Sequence, residues 1–291
     1  MNMTVSGKTK ICGLIGDPVE HTMSPAMHNA AFEELGLDYI YLPFHVKAEG
    51  LADAVAGLKA LNVRGFNVTI PHKVKIIPML DELDTIAGKI GAVNTVVNDH
   101  SKLTGYNTDA AGFLKALLEQ GVEPAGSNVV ILGAGGASRA ISYILADEGA
   151  RLTVLNRRQE LDWAFELARH INEDLGSETR AMELTAENLS AVLEKSDILI
   201  NATSVGMTPD QDSSPVSADL LKSELIVFDI VYNPVRTRLL REAASVGART
   251  VGGVDMLAWQ GALAFEIWTG RQAPVDLMRR EAVKMLEKHE D

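Results

Sequence analysis

The 291-residue sequence has one cysteine, few basic residues and no long apolar run. The single cysteine, Cys12, excludes an internal disulfide and fits a reducing compartment. No run of about 18 apolar residues occurs, and the opening segment MNMTVSGKTK lacks the apolar stretch of a secretory signal. We therefore expect a cytoplasmic protein with no membrane partner.

Basic residues are scarce relative to acidic ones. The formal net charge is −12, with 27 Lys and Arg against 39 Asp and Glu. Because a nucleic-acid surface needs clustered positive charge, we expect no nucleic-acid partner. An anionic ligand must instead be bound by a few local positive groups.

Two common catalytic arrangements are missing. The seven histidines show no spacing typical of metal ligands, so we predict no metal site. The segment NATSVG, residues 201–206, lacks the G-x-S-x-G turn that presents a serine nucleophile. These absences disfavour a metalloenzyme and a serine hydrolase.

Short β-rich segments alternate with amphipathic segments of helical length, which predicts an α/β fold with parallel strands. The length predicts two domains. Ser24 followed by Pro25 predicts an N-cap and a first-turn proline for the first helix. The predicted strands lie near 11–15, 39–46, 64–70, 92–99, 102–109, 127–132, 151–155, 197–201 and 225–230. The predicted helices lie near 25–35, 50–60, 73–89, 111–121, 136–149, 159–175, 186–194, 235–246, 254–270 and 274–290.

A glycine-rich turn follows the apolar strand in VVILGAGGASRA, residues 129–140, and precedes a predicted helix. Strand, turn and helix in this order are the context of a dinucleotide-binding loop, in which the helix N-terminus binds phosphate. Ser138 stands at the third position of the usual glycine pattern and is small enough for close packing. The predicted phosphate-binding loop comprises Gly133, Ala134, Gly135, Gly136 and Ala137.

The next predicted strand ends in Asn156, Arg157 and Arg158, where an NAD-binding fold usually offers an acidic residue to the ribose 2′-hydroxyl. Two guanidinium groups at this position would attract a 2′-phosphate. The sequence therefore predicts NADP as the cofactor. The alternative for one of the two arginines is a solvated charge at a strand end.

Four polar-rich segments lie at the ends of predicted strands or the starts of helices: residues 21–29, 67–73, 91–95 and 105–112. Each alone has a structural explanation as a helix cap, a strand residue or a turn former. Ligands of open α/β sheets bind at the carboxyl ends of the strands. Together, a lysine, an aspartate and several hydroxyls and amides predict a site for a small polyhydroxylated substrate.

These segments, with GAGGAS, NATSVGM, DIVYNP and GGVDMLAWQGA, resemble those of the shikimate dehydrogenase family, in the same order over nearly the whole chain. The resemblance implies reversible, NADPH-dependent reduction of 3-dehydroshikimate to shikimate in aromatic amino-acid biosynthesis. It implies an N-terminal α/β substrate-binding domain, residues 1–108, completed by C-terminal helices 254–291. Residues 109–253 would form a Rossmann-like, doubly wound dinucleotide-binding domain. The sequence leaves open whether the protein is a monomer or a homodimer.

The resemblance assigns catalysis to Lys73 and Asp109. Ketone reduction needs a proton on the carbonyl oxygen. A lysine ammonium beside that oxygen can supply the proton or stabilise the developing alkoxide, and an aspartate can orient the ammonium. Thr22 and Ser24 match a pair of hydroxyls that holds the substrate carboxylate, although serine is the common residue at the first position. The implied contacts to the ring hydroxyls are Asn67, Thr69, Asn94 and Gln260. The resemblance places Tyr232 near both the substrate and the nicotinamide, Gly253 and Met256 beside the nicotinamide, and Thr203 in the loop facing the cofactor.

Several alternatives remain open. Gln260 and Met256 could serve helix packing alone. The segment NRRQELDW departs from the family's Asn-Arg-Thr pattern and resembles the branch that also uses NAD and accepts quinate, so NAD stays possible. A non-catalytic sensor would be expected to have lost the lysine or the aspartate, or to have gained a DNA-binding segment, and this chain has done neither.

Overall fold

The computed structural model describes residues 5–290, without the side chains of residues 289 and 290. The chain forms two compact units. Unit 1 extends to Gly112 and resumes at Ala258, and unit 2 comprises Phe113–Leu257. The sequence-based boundaries, after residues 108 and 253, lie a few residues before these. Both transitions fall inside helices, which explains why the sequence contains no linker.

Strands and helices follow one another along the whole chain. The strands are β1 Lys10–Gly16, β2 Tyr39–His45, β3 Gly65–Val68, β4 Glu82–Leu83, β5 Thr95–Asp99, β6 Lys102–Tyr106, β7 Asn128–Leu132, β8 Arg151–Asn156, β9 Arg180–Glu183, β10 Ile198–Asn201, β11 Ile226–Asp229 and β12 Arg249–Gly252. The helices are α1 Ser24–Glu34, α2 Leu51–Ala60, α3 Thr85–Ile90, α4 Thr108–Glu119, α5 Gly136–Asp147, α6 Leu161–Leu175, α7 Ala186–Leu193, α8 Arg238–Ser245, α9 Gly253–Thr269 and α10 Val275–Glu290.

Unit 1 contains a mixed six-stranded sheet in the order β2-β1-β3-β5-β6-β4. Strand β1 is parallel to β2 and β3, whereas β5 is antiparallel to β3 and β6. The β5–β6 turn places His100 and Ser101 at positive φ, as tight hairpins require. The carboxyl ends of β1, β3 and β6 therefore lie at the same edge of the sheet as the start of β5.

Unit 2 contains a six-stranded sheet in the order β12-β11-β10-β7-β8-β9, in which all paired strands are parallel. The strand order changes direction at β7, where open α/β sheets bind their ligands. Apolar side chains of the central strands form a buried core, as the continuous apolar runs of this part of the sequence predict. This core includes Val130, Leu132, Leu155, Leu199 and Val227.

The predicted helix over residues 73–89 is wrong. The segment instead forms a short 3-10 turn at Ile77–Met79, the two-residue strand β4 and helix α3. Pro78 lacks a backbone N–H and disfavours a continuous helix. The carboxylate of Asp84 starts α3 by accepting a hydrogen bond from the amide of Ile86 at 3.0 Å.

Strands β9 and β12 are absent from the sequence prediction. Both lie at the edges of the unit 2 sheet and begin with an exposed arginine, so their apolar pattern is weak.

In the part of the chain that the structure describes, no helix combines the length and apolar character needed to cross a membrane.

Candidate active site

Lys73 and Asp109 form an ion pair in unit 1. Lys73 Nζ lies 2.6 Å from Asp109 Oδ2, although the two residues are 36 positions apart in sequence. The side chains are only 15% and 6% exposed, respectively. A charge pair this sheltered from water interacts more strongly than a surface pair.

The backbone around both charged residues is tightly anchored. The carbonyl of Lys73 accepts a hydrogen bond from Val93 N at 2.8 Å, and the preceding His72 ring donates from Nε2 to the carbonyl of Val46 at 2.6 Å. Asn107 Oδ1 accepts from the amide of Ala110 at 3.2 Å at the start of α4. Because Asn107 occupies this capping role, the Asp109 side chain is available to the lysine.

Asn94 connects the ion pair to neighbouring polar groups. Its Nδ2 donates to Asp109 Oδ1 at 2.8 Å and to Thr108 Oγ1 at 2.9 Å, and lies 3.5 Å from Gln260 Oε1. Its Oδ1 accepts from the amide of Thr108 at 2.7 Å. Asn94 is buried, so these bonds hold its amide in one orientation.

A second buried amide, Asn67, extends this network along the sheet edge. Its Nδ2 donates to Thr95 Oγ1 at 3.0 Å, and its Oδ1 accepts from the Tyr41 hydroxyl at 2.7 Å. The sequence did not identify Tyr41, Thr95 or Thr108 as part of the site. Thr108 lies inside a polar segment already recognised, whereas Tyr41 follows an ordinary strand pattern that gives no such signal.

Thr22 and Ser24 lie together at the start of α1. The Thr22 hydroxyl donates to Ser24 Oγ at 3.2 Å and accepts from the Ser24 amide at 3.3 Å. The predicted N-cap role of Ser24 is wrong, because Met23 holds that position and Ser24 is the first residue of the helix. The Ser24 hydroxyl is therefore not used as a cap.

Thr69 is placed beside β1 by a glycine. A Cβ at Gly16 would lie 2.3 Å from Thr69 Cγ2, far inside van der Waals contact. Only glycine at position 16 allows the two segments to approach this closely.

Five of the predicted residues of unit 1 are joined in one network, with Thr22, Ser24 and Thr69 on adjoining segments. The five are Lys73, Asp109, Asn94, Asn67 and Gln260.

A matched pair of glycine substitutions tests the close packing that places Gln260. A Cβ at Gly112, in α4, would lie 2.7 Å from Gln260 N and 2.9 Å from its Cα, whereas a Cβ at Gly57, in α2, meets nothing within 4 Å. We expect Gly112→Ala to destabilise the protein by about 1–3 kcal/mol and to lower activity. Gly57→Ala should stabilise it by about 0.5–1 kcal/mol.

Denaturant unfolding of the two variants measures both effects. Equal unfolding midpoints for Gly112→Ala and Gly57→Ala would contradict the packing that we describe.

In unit 2, the glycine turn lies between β7 and α5. Gly133 has φ 96°, a conformation that favours glycine, and a Cβ there would lie 3.0 Å from Thr203 Cγ2. Gly133 N donates to Leu155 O at 2.8 Å, and Ser138 Oγ donates to Gly133 O at 2.7 Å. Gly135 is exposed and caps α5, so the helix N-terminus and its amides can reach a phosphate.

The end of β8 carries the predicted arginine pair. Asn156 is buried and donates from Nδ2 to the carbonyl of Glu160 at 2.7 Å, which holds the turn over residues 158–160. The Arg157 guanidinium pairs with the Glu160 carboxylate through Nε and Nη2, with Nε 2.8 Å from Oε2. Arg158 is exposed. From the sequence we predicted that both arginines bind the 2′-phosphate, with a solvated charge as the alternative for one of them. The pairing of Arg157 with Glu160 was not predicted.

A buried amide–carboxylate pair organises the ends of β10 and β11. Asn201 Nδ2 donates to Asp229 Oδ1 at 2.9 Å, and Thr203 Oγ1 donates to Asn201 Oδ1 at 2.6 Å. Thr237 Oγ1 donates to Asp229 Oδ2 at 2.6 Å. Burial raises the pKa of Asp229 to about 6, although these hydrogen bonds act in the opposite direction. The loops bearing Thr203 and Tyr232 are fixed by this pair.

Gly253 and Met256 lie in the first turn of α9. A Cβ at Gly253 would lie 2.3 Å from the carbonyl oxygen of Ile230, so the helix start packs directly on the backbone after β11. Met256 is 7% exposed.

Among the described residues, no group of three or more His, Cys, Asp or Glu could hold a metal ion.

Comparison with known proteins matches three family models along the chain. The substrate-binding domain of shikimate dehydrogenase matches residues 14–96. The shikimate/quinate 5-dehydrogenase model matches residues 116–234, and the C-terminal domain of shikimate 5′-dehydrogenase matches residues 253–283. Together these matches cover both units.

Individual relatives agree over the full length. The shikimate dehydrogenase (NADP+) of Methanopyrus kandleri is 51% identical over 288 residues, covering 98% of this chain and 99% of the relative. A crystal structure of a shikimate dehydrogenase with NADP+ has a TM-score of 0.92 and 43% identity, over 97% of this chain and 98% of that one. The Listeria monocytogenes enzyme with shikimate and NAD has a TM-score of 0.89 and 42% identity, over 96% and 98%. This chain belongs to the shikimate dehydrogenase family.

Proposed function

We propose that this protein is an NADP-dependent shikimate dehydrogenase, which reversibly reduces 3-dehydroshikimate to shikimate in chorismate and aromatic amino-acid biosynthesis. The observation that carries this proposal is the sheltered Lys73–Asp109 ion pair within a network of amides and hydroxyls. An ammonium next to neutral hydrogen-bonding groups suits a ketone on a hydroxylated ring. The protein acts in the cytoplasm, as a monomer or a homodimer.

The residues of unit 2 fit a dinucleotide. The positive φ of Gly133, the exposed Gly135 and the N-terminus of α5 form a cradle for a pyrophosphate. Arg157 and Arg158 bind the 2′-phosphate beside Asn156. Bound NADPH supplies the hydride. The nicotinamide side of the cofactor is contacted by residues that follow strand ends of the same sheet, Thr203, Gly253 and Met256. Tyr232, which follows β11, lies near both the nicotinamide and the substrate.

Lys73 acts at the oxygen of the substrate carbonyl. Its ammonium donates a hydrogen bond to that oxygen and passes a proton to it as negative charge develops. Asp109, which accepts from Lys73 and from Asn94, fixes the direction of the ammonium and accepts from a neighbouring substrate hydroxyl. In the oxidation direction, Lys73 accepts the proton of the hydroxyl.

The surrounding polar groups recognise the rest of the substrate. The hydroxyls of Thr22 and Ser24 donate hydrogen bonds to the substrate carboxylate. Asn67, Thr69, Asn94 and Gln260 bind the ring hydroxyls. The amide orientations of Asn67 and Asn94 are set by their buried partners, so these residues are prepared for the ligand before it binds.

The proposal is tested by measuring nicotinamide absorbance with shikimate or quinate, each with NADP or NAD. We expect the fastest turnover with shikimate and NADP. Turnover mainly with quinate or NAD would assign the protein to the quinate branch of the family. Binding without turnover of any pair would indicate a sensor and contradict the proposal.

A further inference from the structure

We propose that Glu160 sets the cofactor preference of this enzyme. Its carboxylate lies beside the guanidinium that the 2′-phosphate of NADP must use, weakens the binding of that phosphate and allows NAD to bind. Glu160 is a specificity-determining residue that opposes the two arginines. This inference rests on the proposed cofactor site of unit 2.

The position of Glu160 follows from the strand pairing. Leu132 pairs with Leu155 in the parallel β7–β8 ladder, and Gly133 N donates to Leu155 O at 2.8 Å. The end of β8 therefore lies directly beside the glycine turn. In dinucleotide-binding folds, the adenine ribose lies over this strand end, where an acidic residue binds the 2′-hydroxyl of NAD. The turn over residues 158–160 brings Glu160 to this place.

The contact with Arg157 is two-pronged. Nε donates to Oε2 at 2.8 Å, and Nη2 donates to Oε1 of the same carboxylate. These are the two donors that a guanidinium offers on one edge to a phosphate. Hydrogen bonding to Glu160 raises the pKa of Arg157, and hydrogen bonding to Arg157 lowers that of Glu160, so the pair is fully ionised at neutral pH.

The charges at this strand end therefore sum to less than the two arginines suggest. Glu160 neutralises Arg157, which leaves the exposed Arg158 as the net positive charge. A 2′-phosphate carries up to two negative charges and is repelled by the carboxylate, whereas a neutral 2′-hydroxyl can donate a hydrogen bond to it. The carboxylate thus penalises NADP and favours NAD.

The turn itself does not depend on the carboxylate. It is held by the Glu160 backbone carbonyl, which accepts from Asn156 Nδ2 at 2.7 Å, and by Glu160 N, which donates to Arg157 O at 3.0 Å. The Glu160 side chain is 24% exposed and that of Arg157 67%. Glu160→Gln should therefore preserve the backbone while removing one negative charge.

The experiment compares two adenosine probes by isothermal titration calorimetry on the whole protein. Adenosine 2′,5′-bisphosphate and adenosine 5′-monophosphate differ only in the 2′-phosphate. We expect Glu160→Gln to raise the affinity for the bisphosphate about five- to tenfold at low ionic strength, and the effect should shrink in salt. The affinity for the monophosphate should change little. The ratio of kcat/KM for NADP to that for NAD should rise with the bisphosphate affinity.

Glu173→Gln is the matched control. Glu173 pairs with Arg169 on α6, at 2.8 Å, so this variant removes the same charge from the same unit at the other end of the helix. It should leave both affinities unchanged. If neither the wild type nor Glu160→Gln prefers the bisphosphate, the NADP site and this inference are overturned together. If the wild type prefers the bisphosphate but Glu160→Gln leaves that preference unchanged or weakens it, only the role of Glu160 is overturned.

Discussion

Replacing Lys73 by alanine is expected to lower kcat for shikimate oxidation by about a thousandfold, within the range typical of a lost general acid–base group. The ammonium is 2.6 Å from Asp109 and largely sheltered from water. A water molecule in the space left by the lysine would have to accept the proton of the substrate hydroxyl, but Asp109 would not hold it in the orientation of the lysine nitrogen. Initial rates at saturating NADP and shikimate measure the loss of kcat. The KM for NADP, measured by varying its concentration, should change little because the glycine turn is untouched.

Lys59→Ala provides the matched control for this prediction. Lys59 forms a 2.7 Å ion pair with Asp81 in the same unit, but both side chains are substantially exposed. Such surface pairs contribute little to stability, so this variant should retain full activity. Because Lys73→Ala leaves Asp109 without its cationic partner, unfolding curves must show that the variant is folded. A folded Lys73→Ala protein with less than a tenfold loss would contradict the catalytic role.

Acidification below about pH 6 is expected to destabilise the protein through His28. The ring of His28 is fully buried against Tyr41, with centroids 4.4 Å apart, and against Trp268 at 5.2 Å. Within residues 5–288, neither ring nitrogen has a hydrogen-bond partner. Burial lowers the pKa of His28 from 6.5 to about 3, because a charged ring cannot be solvated there.

The sign of this effect follows from proton uptake on unfolding. Between pH 6.5 and 3, the unfolded chain protonates at this histidine and the folded chain does not. The free energy of unfolding should therefore fall by about 1.4 kcal/mol per pH unit in this window, through this group alone. His28→Leu, which keeps a similar side-chain volume, should remove that component and shift acid unfolding to lower pH.

Denaturant unfolding at several pH values measures this prediction. The difference in unfolding free energy between His28→Leu and wild type should move in favour of the variant as pH falls from 6.5 to 4. His21→Leu, at an exposed position before α1, controls for the loss of a histidine as such. A pH-independent difference between His28→Leu and wild type would show that His28 does not drive acid sensitivity.

Local patterns were sufficient to predict much of unit 2. The apolar run of β7, the glycines after it and the amphipathic α5 are contiguous in sequence, so strand, turn and helix could be recognised together. The same holds for the arginines at the end of β8. The ion pair of Glu160 was missed because it depends on a turn over residues 158–160, which no periodic pattern indicates.

Long-range contacts could not be predicted from the sequence. Nothing local shows that Lys73 and Asp109 meet, or that the Tyr41 hydroxyl reaches Asn67 across the sheet. Local apolar spacing over residues 73–89 suggested a helix, whereas Pro78 and the pairing of β4 with β6 divide the segment. Tertiary pairing of two residues was enough to override a helical pattern.

The most direct test of the proposed function is deuterium transfer. NADPH carrying deuterium at its transferable hydrogen is mixed with 3-dehydroshikimate and the purified protein, and the product is examined by mass spectrometry. We expect shikimate that carries one deuterium on the former carbonyl carbon, with Lys73→Ala forming the same product far more slowly. Recovery of unlabelled 3-dehydroshikimate alone, with the wild-type protein folded and NADPH bound, would contradict the assignment.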